Sequence, residues 1–458
     1  MRNCLHKHII YIMRIFGKAF IAFGVSIALI NISLGAAAQE YAPFKYDTES
    51  EIYDNIWKSG GELYMYDFPE EDDIKTPKGY KPFYISMFGR HGARYVHETG
   101  MYSDVYSILS SAHNEGKLNS EGELLFERYK DFFNKVAYRE GDLTVSGQKQ
   151  WRKAAACMFK NYPEVFRGHT SAIAVSTYFQ RTMMSMFSFV DEIQHLDRSL
   201  DCSIDAGNVF LPYLLPNSSK SPQYVKGKPL NEKALKSQKD FFASKIDALS
   251  FAKRYFNDTD YVGNKYGMWK FMSDLALCML DIQCLEGVEN PFGNVFTKEE
   301  LFAFWEVRNY NGYLYLGSSP LTDGKNMLAS SAGLREIIES ADKDMESGTV
   351  DLRLRFSHDS AILPMMSFMR LNNFGIVIDN PEELKNYWRS FDIPMASNLQ
   401  FIFYKSKRSD EILLKLLYNG KPASIPIKPA IEGYYSWNDF KSYYIPRIEE
   451  AEKSLSSK

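Results

Sequence analysis

"SMFGRHGARY", residues 86–95, ends the apolar run "PFYISMF" (82–88) at Gly89 and then sets Arg90, His91 and Arg94 within five positions. An aromatic-rich apolar run bounded by glycine reads as a buried strand entering a loop. Two guanidiniums and an imidazole crowded beyond a strand end repel one another unless an anion sits among them. Arginine's planar fork matches two phosphate oxygens at once, and Gly92 is expected to let the backbone approach the ligand closely. The flanking positive charge discourages protonation of His91, which leaves a neutral ring nitrogen able to attack phosphorus. With ordinary residue usage such a string arises by chance in about one chain in a thousand of this length, so the cluster reads as a phosphate trap holding a nucleophile.

Working outward, "SAIAVST" (171–177) reads as a second buried strand, and "RTMMSMFSFVDEI" after it as a helix whose Met184, Phe187 and Val190 share one face. Helical spacing also marks "YSDVYSILSSA", "EGELLFERYKDFFNKVA" and "SGQKQWRKAAACMF" between Thr99 and Tyr162. Helices dominate again from Tyr224 to Glu346, including "TKEELFAFWEVRN", where Thr297 and Glu300 form a capping box. After Gly348 the period turns to strands: "VDLRLRFS" (350–357), then "NLQFIFYKS" (398–406) and "EILLKLLYN" (411–419) as a hairpin. The expected fold is α/β, a central mixed sheet flanked by helices with a mostly helical cap inserted. Residues 39–98, 165–223 and 347–458 are assigned to the core, and 99–164 and 224–346 to the cap insertions.

The 458-residue chain has ordinary globular composition, with 45% apolar and 24% charged residues. Its first 38 residues differ: Arg14 and Lys18 precede an uncharged run that closes on Ala36-Ala37-Ala38, the layout of a signal peptide cleaved near Ala38. The expected location is therefore periplasmic or extracellular, with no stable membrane insertion after cleavage. Loss of the leader's four basic residues takes the formal charge from −3 to −7, which argues against a general nucleic-acid binder. Cys157, Cys202, Cys278 and Cys284 remain, too few for a disulfide framework, and all four read as small buried apolar side chains.

Ligands in open α/β sheets sit beyond the carboxyl ends of the strands. "FYISMF" runs into Arg90–Arg94 and "LRLRFS" into His358-Asp359, so both ends are expected to share one crevice although 267 residues separate the two histidines. Arg181, at a strand-to-helix turn in "STYFQRTMMS", fits as a third clamp where free backbone N–H groups favour an anion. Three arginines and His358 can neutralise a transferring phosphoryl group, work commonly given to a metal, while Asp359 supplies the leaving alcohol with its proton. No histidine or cysteine pair has close ligand spacing, so no metal or other cofactor is expected.

"RHGAR" followed by "HD" resembles the histidine acid phosphatases, the branch of the histidine phosphatase superfamily that includes phytases and multiple inositol polyphosphate phosphatases. "LTVSGQKQW" from Leu143 resembles that family's Leu-Thr-x-x-Gly segment, and "STYFQRTMMS" its Ser-x-x-x-x-Arg-x-x-x-Ser segment. The resemblance implies His91 as phosphorylated nucleophile, Arg90, Arg94, Arg181 and His358 as phosphate pocket, and Asp359 as proton donor, without a metal. Two departures stand out. The family motif often continues Arg-x-Pro, whereas Val96 occupies the proline position here; and "HDSAILPMM" resembles the inositol polyphosphate branch except that its usual His-Ala-Glu is His358-Asp359-Ser360. The expected activity is hydrolysis of inositol polyphosphates through a phosphohistidine. The alternatives are a broad acid phosphatase on small phosphomonoesters, a phosphotransferase or mutase, and a non-catalytic binder of phosphorylated ligands. The expected partner is a small phosphomonoester; oligomeric state is left open.

Overall fold

The computed structural model describes residues 43–69, 75–221, 230–322 and 324–456. The leader expected over 1–38 lies outside these residues. Eight strands form one mixed sheet: β1 (Tyr80–Arg90), β2 (Ser171–Ser176), β3 (Asp201–Ala206), β4 (Leu352–Ser357), β5 (Asn398–Ser406), β6 (Ser409–Tyr418), β7 (Lys421–Pro422) and β8 (Tyr435–Ser436). The order is β3-β2-β4-β1-β5-β6-β7, with β8 on β6. Pairs among β3, β2, β4 and β1 are parallel, and β5 adds to β1 antiparallel before turning back as the β5–β6 hairpin. The four parallel strands β3, β2, β4 and β1 therefore send their carboxyl ends to one edge.

Helices cover both faces. On one, Met87 and Phe356 pack with Trp151 of the helix Val145–Asn161 and Phe189 of the helix Gln180–Leu196. On the other, Phe88 and Phe401 pack with Ile337 of Ser331–Ser347, Met366 of Asp359–Met369 and Phe440 of Trp437–Ser456. The neighbours Met87 and Phe88 thus face opposite ways, as the pleat requires, and β1 is buried on both sides. The two arginines of "LRLRFS" point to the second face, where Arg353 pairs with Asp344 at 2.6 Å and Arg355 with Glu336, both on Ser331–Ser347. A separate core joins Tyr102, Phe132 and Phe271 from the helices Met101–Asn114, Ser120–Val136 and Met268–Asp281.

Several local expectations change. The helix Gln180–Leu196 buries Thr182, Ser185, Met186, Phe189, Val190 and Ile193; of the expected stripe only Val190 is buried, Met184 is half-buried and Phe187 is 45% exposed, because small hydroxyls fill much of the crowded side. Two helices assigned by pattern to the cap, Val145–Asn161 and Ser331–Ser347, lie on the sheet. β3 went unread because its residues are largely exposed at the sheet edge and carry no apolar alternation. The capping box at Thr297 and Glu300 is present, and its helix runs to Leu316. Among the described residues Cys157, Cys202, Cys278 and Cys284 form no disulfide; Cys278 and Cys284 are buried, but Cys157 and Cys202 only partly.

Candidate active site

The chain leaves β1 under tight backbone control. Arg90 N–H donates to Ser397 O at 2.7 Å, His91 N–H to Ser357 O at 2.9 Å, and Ala396 N–H to His91 O at 3.0 Å. The following loop docks on the start of Val145–Asn161. A Cβ on Gly92 would stand 2.5 Å from Gly147 O, and one on Gly147 2.2 Å from Ala93 O. Gly92 is thus required by its own chain rather than by close approach of a ligand. Thr144 caps that helix through Gly147 N–H at 3.1 Å and donates its hydroxyl to Ala93 O at 2.9 Å, while Gln150 Oε1 accepts from Ala93 N–H at 2.9 Å. The "LTVSGQKQW" segment is the seat of the loop. Ser185 completes it, accepting from Gly92 N–H at 3.0 Å and donating to Arg181 O at 2.7 Å.

Val96 explains its own departure from the family pattern. Its N–H donates to Asp281 Oδ2 at 3.1 Å, and Tyr102 Oη donates to the same oxygen at 2.6 Å. A proline there has no N–H to offer. Burial raises the Asp281 carboxyl to about 7, against the lowering by Tyr102, Arg94 and the Val96 amide.

The strand ends converge as expected. The His91 and His358 rings lie edge to face with centroids 5.5 Å apart. His91, Arg94, Arg181, His358 and Asp359 all line one cavity of 380 Å³. Arg90 does not line it. Fully buried behind His91, it gives Nη1 to Glu62 O at 2.6 Å and Ile393 O at 2.8 Å, and Nη2 to Asp359 Oδ2 at 2.8 Å. A larger cavity of 640 Å³, lined by Tyr46, Arg389 and Tyr418 among others, contains neither histidine. Among the described residues no group of three or more His, Cys, Asp or Glu is placed to hold a metal ion.

Protonation follows from these contacts. His91 Nδ1 lies 2.9 Å from Gly92 O, a pure acceptor, so Nδ1 carries the hydrogen and Nε2 keeps its lone pair. Burial and the guanidiniums of Arg90, Arg181 and Arg94 hold this imidazole well below its usual pKa. His358 is pushed down to about 3 by burial and Arg181; its Nε2 is 3.1 Å from Thr177 Oγ1 and its Nδ1 3.5 Å from Arg181 Nη2. Arg181 itself falls to about 10 through burial and Arg94. For Asp359 burial raises the carboxyl, but Arg90, Arg94 and His358 outweigh it and hold the group below the usual carboxylate range. Its place in the first turn of Asp359–Met369 acts in the same direction.

Sequence reading missed the cavity's outer wall. Glu62, His97, Arg308 and Asn311 line it, from the turn Ile56–Leu63, the loop after Arg94 and the helix Lys298–Leu316. It also missed Thr177, Ser185 and Gln150, which touch the histidines or their loop. Hydroxyls and amides of this kind carry no pattern that separates them from ordinary caps.

Strand ends of a doubly covered α/β sheet that gather two neutral imidazoles and several guanidiniums define an anion-binding histidine site. A model of the histidine phosphatase superfamily (branch 2) matches residues 85–419, and the chain belongs to that family. No curated protein sequence is significantly similar to it. Among solved structures, the Bifidobacterium longum multiple inositol polyphosphate phosphatase in complex with inositol hexasulfate is similar at a TM-score of 0.70 and 14% identity, over 84% of this chain and 97% of that one. The D. castellii phytase matches at 0.63 and 18%, over 86% of each chain. The Hafnia alvei phytase matches at 0.56 and 12%, over 82% of this chain and 99% of that one. At these identities the likeness is one of fold. Family and fold together support a phosphatase.

Proposed function

We propose that the protein is an exported phosphomonoesterase that hydrolyses inositol polyphosphates through a phosphohistidine on His91. The observation that carries the reading is the pairing of an unprotonated His91 Nε2 with His358, Arg94 and Arg181 around one cavity. Arg94 and Arg181 bind the equatorial phosphoryl oxygens, with Arg90 supplying positive charge from behind. His91 Nε2 attacks phosphorus in line; the N–P bond forms as the ester P–O bond breaks, and the departing alkoxide takes a proton from Asp359. Water then attacks phosphorus, its proton passes to Asp359, and the N–P bond breaks to release phosphate.

The ion pair with Arg90 opposes the proton that Asp359 must carry. A phosphate dianion among the same guanidiniums offsets their charge and raises the carboxyl's pKa, so the acid is prepared by the substrate. The choice of inositol polyphosphate draws support from the fold shared with the Bifidobacterium longum enzyme and the phytases. Export rests on the leader sequence; no helix among the described residues is long and apolar enough to cross a membrane. Incubation of the mature protein with phytate in EDTA, following released phosphate, tests the reading. Release is expected. Hydrolysis of p-nitrophenyl phosphate without release from phytate would leave a broad acid phosphatase, and tight phytate binding with no hydrolysis of either would leave a binder.

A further inference from the structure

The described residues lining the cavity include three guanidiniums, those of Arg94, Arg181 and Arg308. Arg181 Nη2 lies 3.5 Å from His358 Nδ1, whose ring faces that of His91, and Arg94 belongs to the loop that leaves His91. Arg308 comes from a different element, the helix Lys298–Leu316, with its guanidinium over the Phe304 ring at 5.6 Å and its Nη2 donating to the Glu62 carboxylate. Its buried Nε has no partner. Glu62 is tied twice, because its carbonyl also accepts from Arg90 Nη1 at 2.6 Å. The residue that neutralises Arg308 therefore anchors the guanidinium behind the nucleophile.

The Arg308 and Glu62 side chains are 27% and 29% exposed. An ion pair so placed is weak, since water screens it and holding two long side chains costs entropy. An arginine fork on a phosphate instead makes two parallel charge-assisted bonds. A phosphate reaching this wall can thus displace Glu62, and the freed carboxylate turns to water or to a substrate hydroxyl. Asn311, one helical turn beyond Arg308, adds an amide to the same wall.

We infer that Arg308 is a second phosphate clamp with Glu62 as its exchangeable counter-ion, so the site selects small phosphomonoesters that carry a further phosphate group. The inference rests on the cavity being the phosphatase site and deepens it by naming the residue that reads the rest of the substrate.

The test is calorimetric titration of the full-length His91→Ala protein, in which no turnover intervenes, with inositol hexakisphosphate and with inorganic phosphate. Adding Arg308→Gln is expected to weaken the hexakisphosphate about tenfold more than inorganic phosphate. Adding Glu62→Gln, which keeps the carbonyl that holds Arg90, is expected to tighten the hexakisphosphate about threefold, and stands as an independent check should Arg308→Gln fold poorly. Equal weakening of both ligands by Arg308→Gln, or no tightening by Glu62→Gln, would overturn the inference. Failure of the phosphatase reading shows elsewhere, as absence of phosphate release by the protein with His91 intact.

Discussion

The floor and the outer wall of the cavity are built by opposite means. The floor, His91, Arg94 and His358, is at most 5% exposed and issues from strand ends or the loop they feed, fastened by backbone hydrogen bonds and by the glycine contact at Gly92 and Gly147. The wall, Glu62, His97, Arg308 and Asn311, comes from a short turn, a loop and a helix, and is held in part by a partly exposed ion pair. A site constructed this way fixes its chemistry rigidly and leaves its selectivity to contacts that exchange at low cost. Changes on the floor should act on turnover, and changes on the wall on which substrate is accepted.

The sharpest way to break this contrast is His91→Ala, which is expected to remove turnover of every phosphomonoester, by at least about four orders of magnitude in kcat. Residual hydrolysis within tenfold of wild type would place the nucleophile elsewhere. Asp359→Asn comes next: kcat/KM, which reports the phosphorylation step, should fall by about two to three orders of magnitude with poor leaving groups, and far less with p-nitrophenyl phosphate, whose phenolate needs little protonation. Equal slowing of both substrates would remove Asp359 from the donor role.

Smaller effects are expected from pH. Because the donor must be protonated, rates should decline as pH rises through its pKa, giving an acid-side optimum. Asp359 is held low by Arg90 and raised by bound phosphate, so the alkaline limb of kcat should lie at higher pH than that of kcat/KM. Activity that climbs steadily from about pH 5 to 9 contradicts this ordering.

The loop's buttress offers a stability measurement. Asp281 binds its proton more tightly when folded, to about 7, than when unfolded, near 4. Between those values the unfolded chain releases a proton that the native one keeps, so this carboxyl makes stability fall as pH rises, by up to about 1.4 kcal/mol per unit. Both of its hydrogen bonds converge on Oδ2, an acceptor that asparagine retains. Asp281→Asn should therefore flatten Tm against pH in this window, while Val96→Pro should lower Tm by deleting the N–H. An unchanged slope in Asp281→Asn would mean that the carboxyl is not the titrating group.

The same contrast describes how much could be read from sequence. Two strands ending in His91 and His358 were legible because apolar runs and reactive side chains sit side by side in the chain, and the strand-end rule brings them together. Arg181 was legible through its place at a strand-to-helix turn. The contact of Gly92 with Gly147 was not, since it joins backbones 55 positions apart and leaves no mark but two glycines. The burial of Arg90 was missed for a related reason: besides Asp359, its partners are the carbonyls of Glu62 and Ile393, and any residue type supplies a carbonyl. Arg308 and Glu62 are separated by 246 residues and have no periodic signature, so only the folded chain pairs them.

The central claim is that His91 Nε2 becomes covalently phosphorylated. Its most direct test is to mix Asp359→Asn, in which hydrolysis of the phosphoenzyme is slowed, with p-nitrophenyl phosphate, quench in base to preserve phosphohistidine, and locate the phosphoryl group by peptide mass spectrometry. A stoichiometric burst of nitrophenol with the phosphoryl group on His91 is the expected result. A phosphoryl group on any other residue, or nitrophenol released without a burst and without labelled peptide, would contradict it.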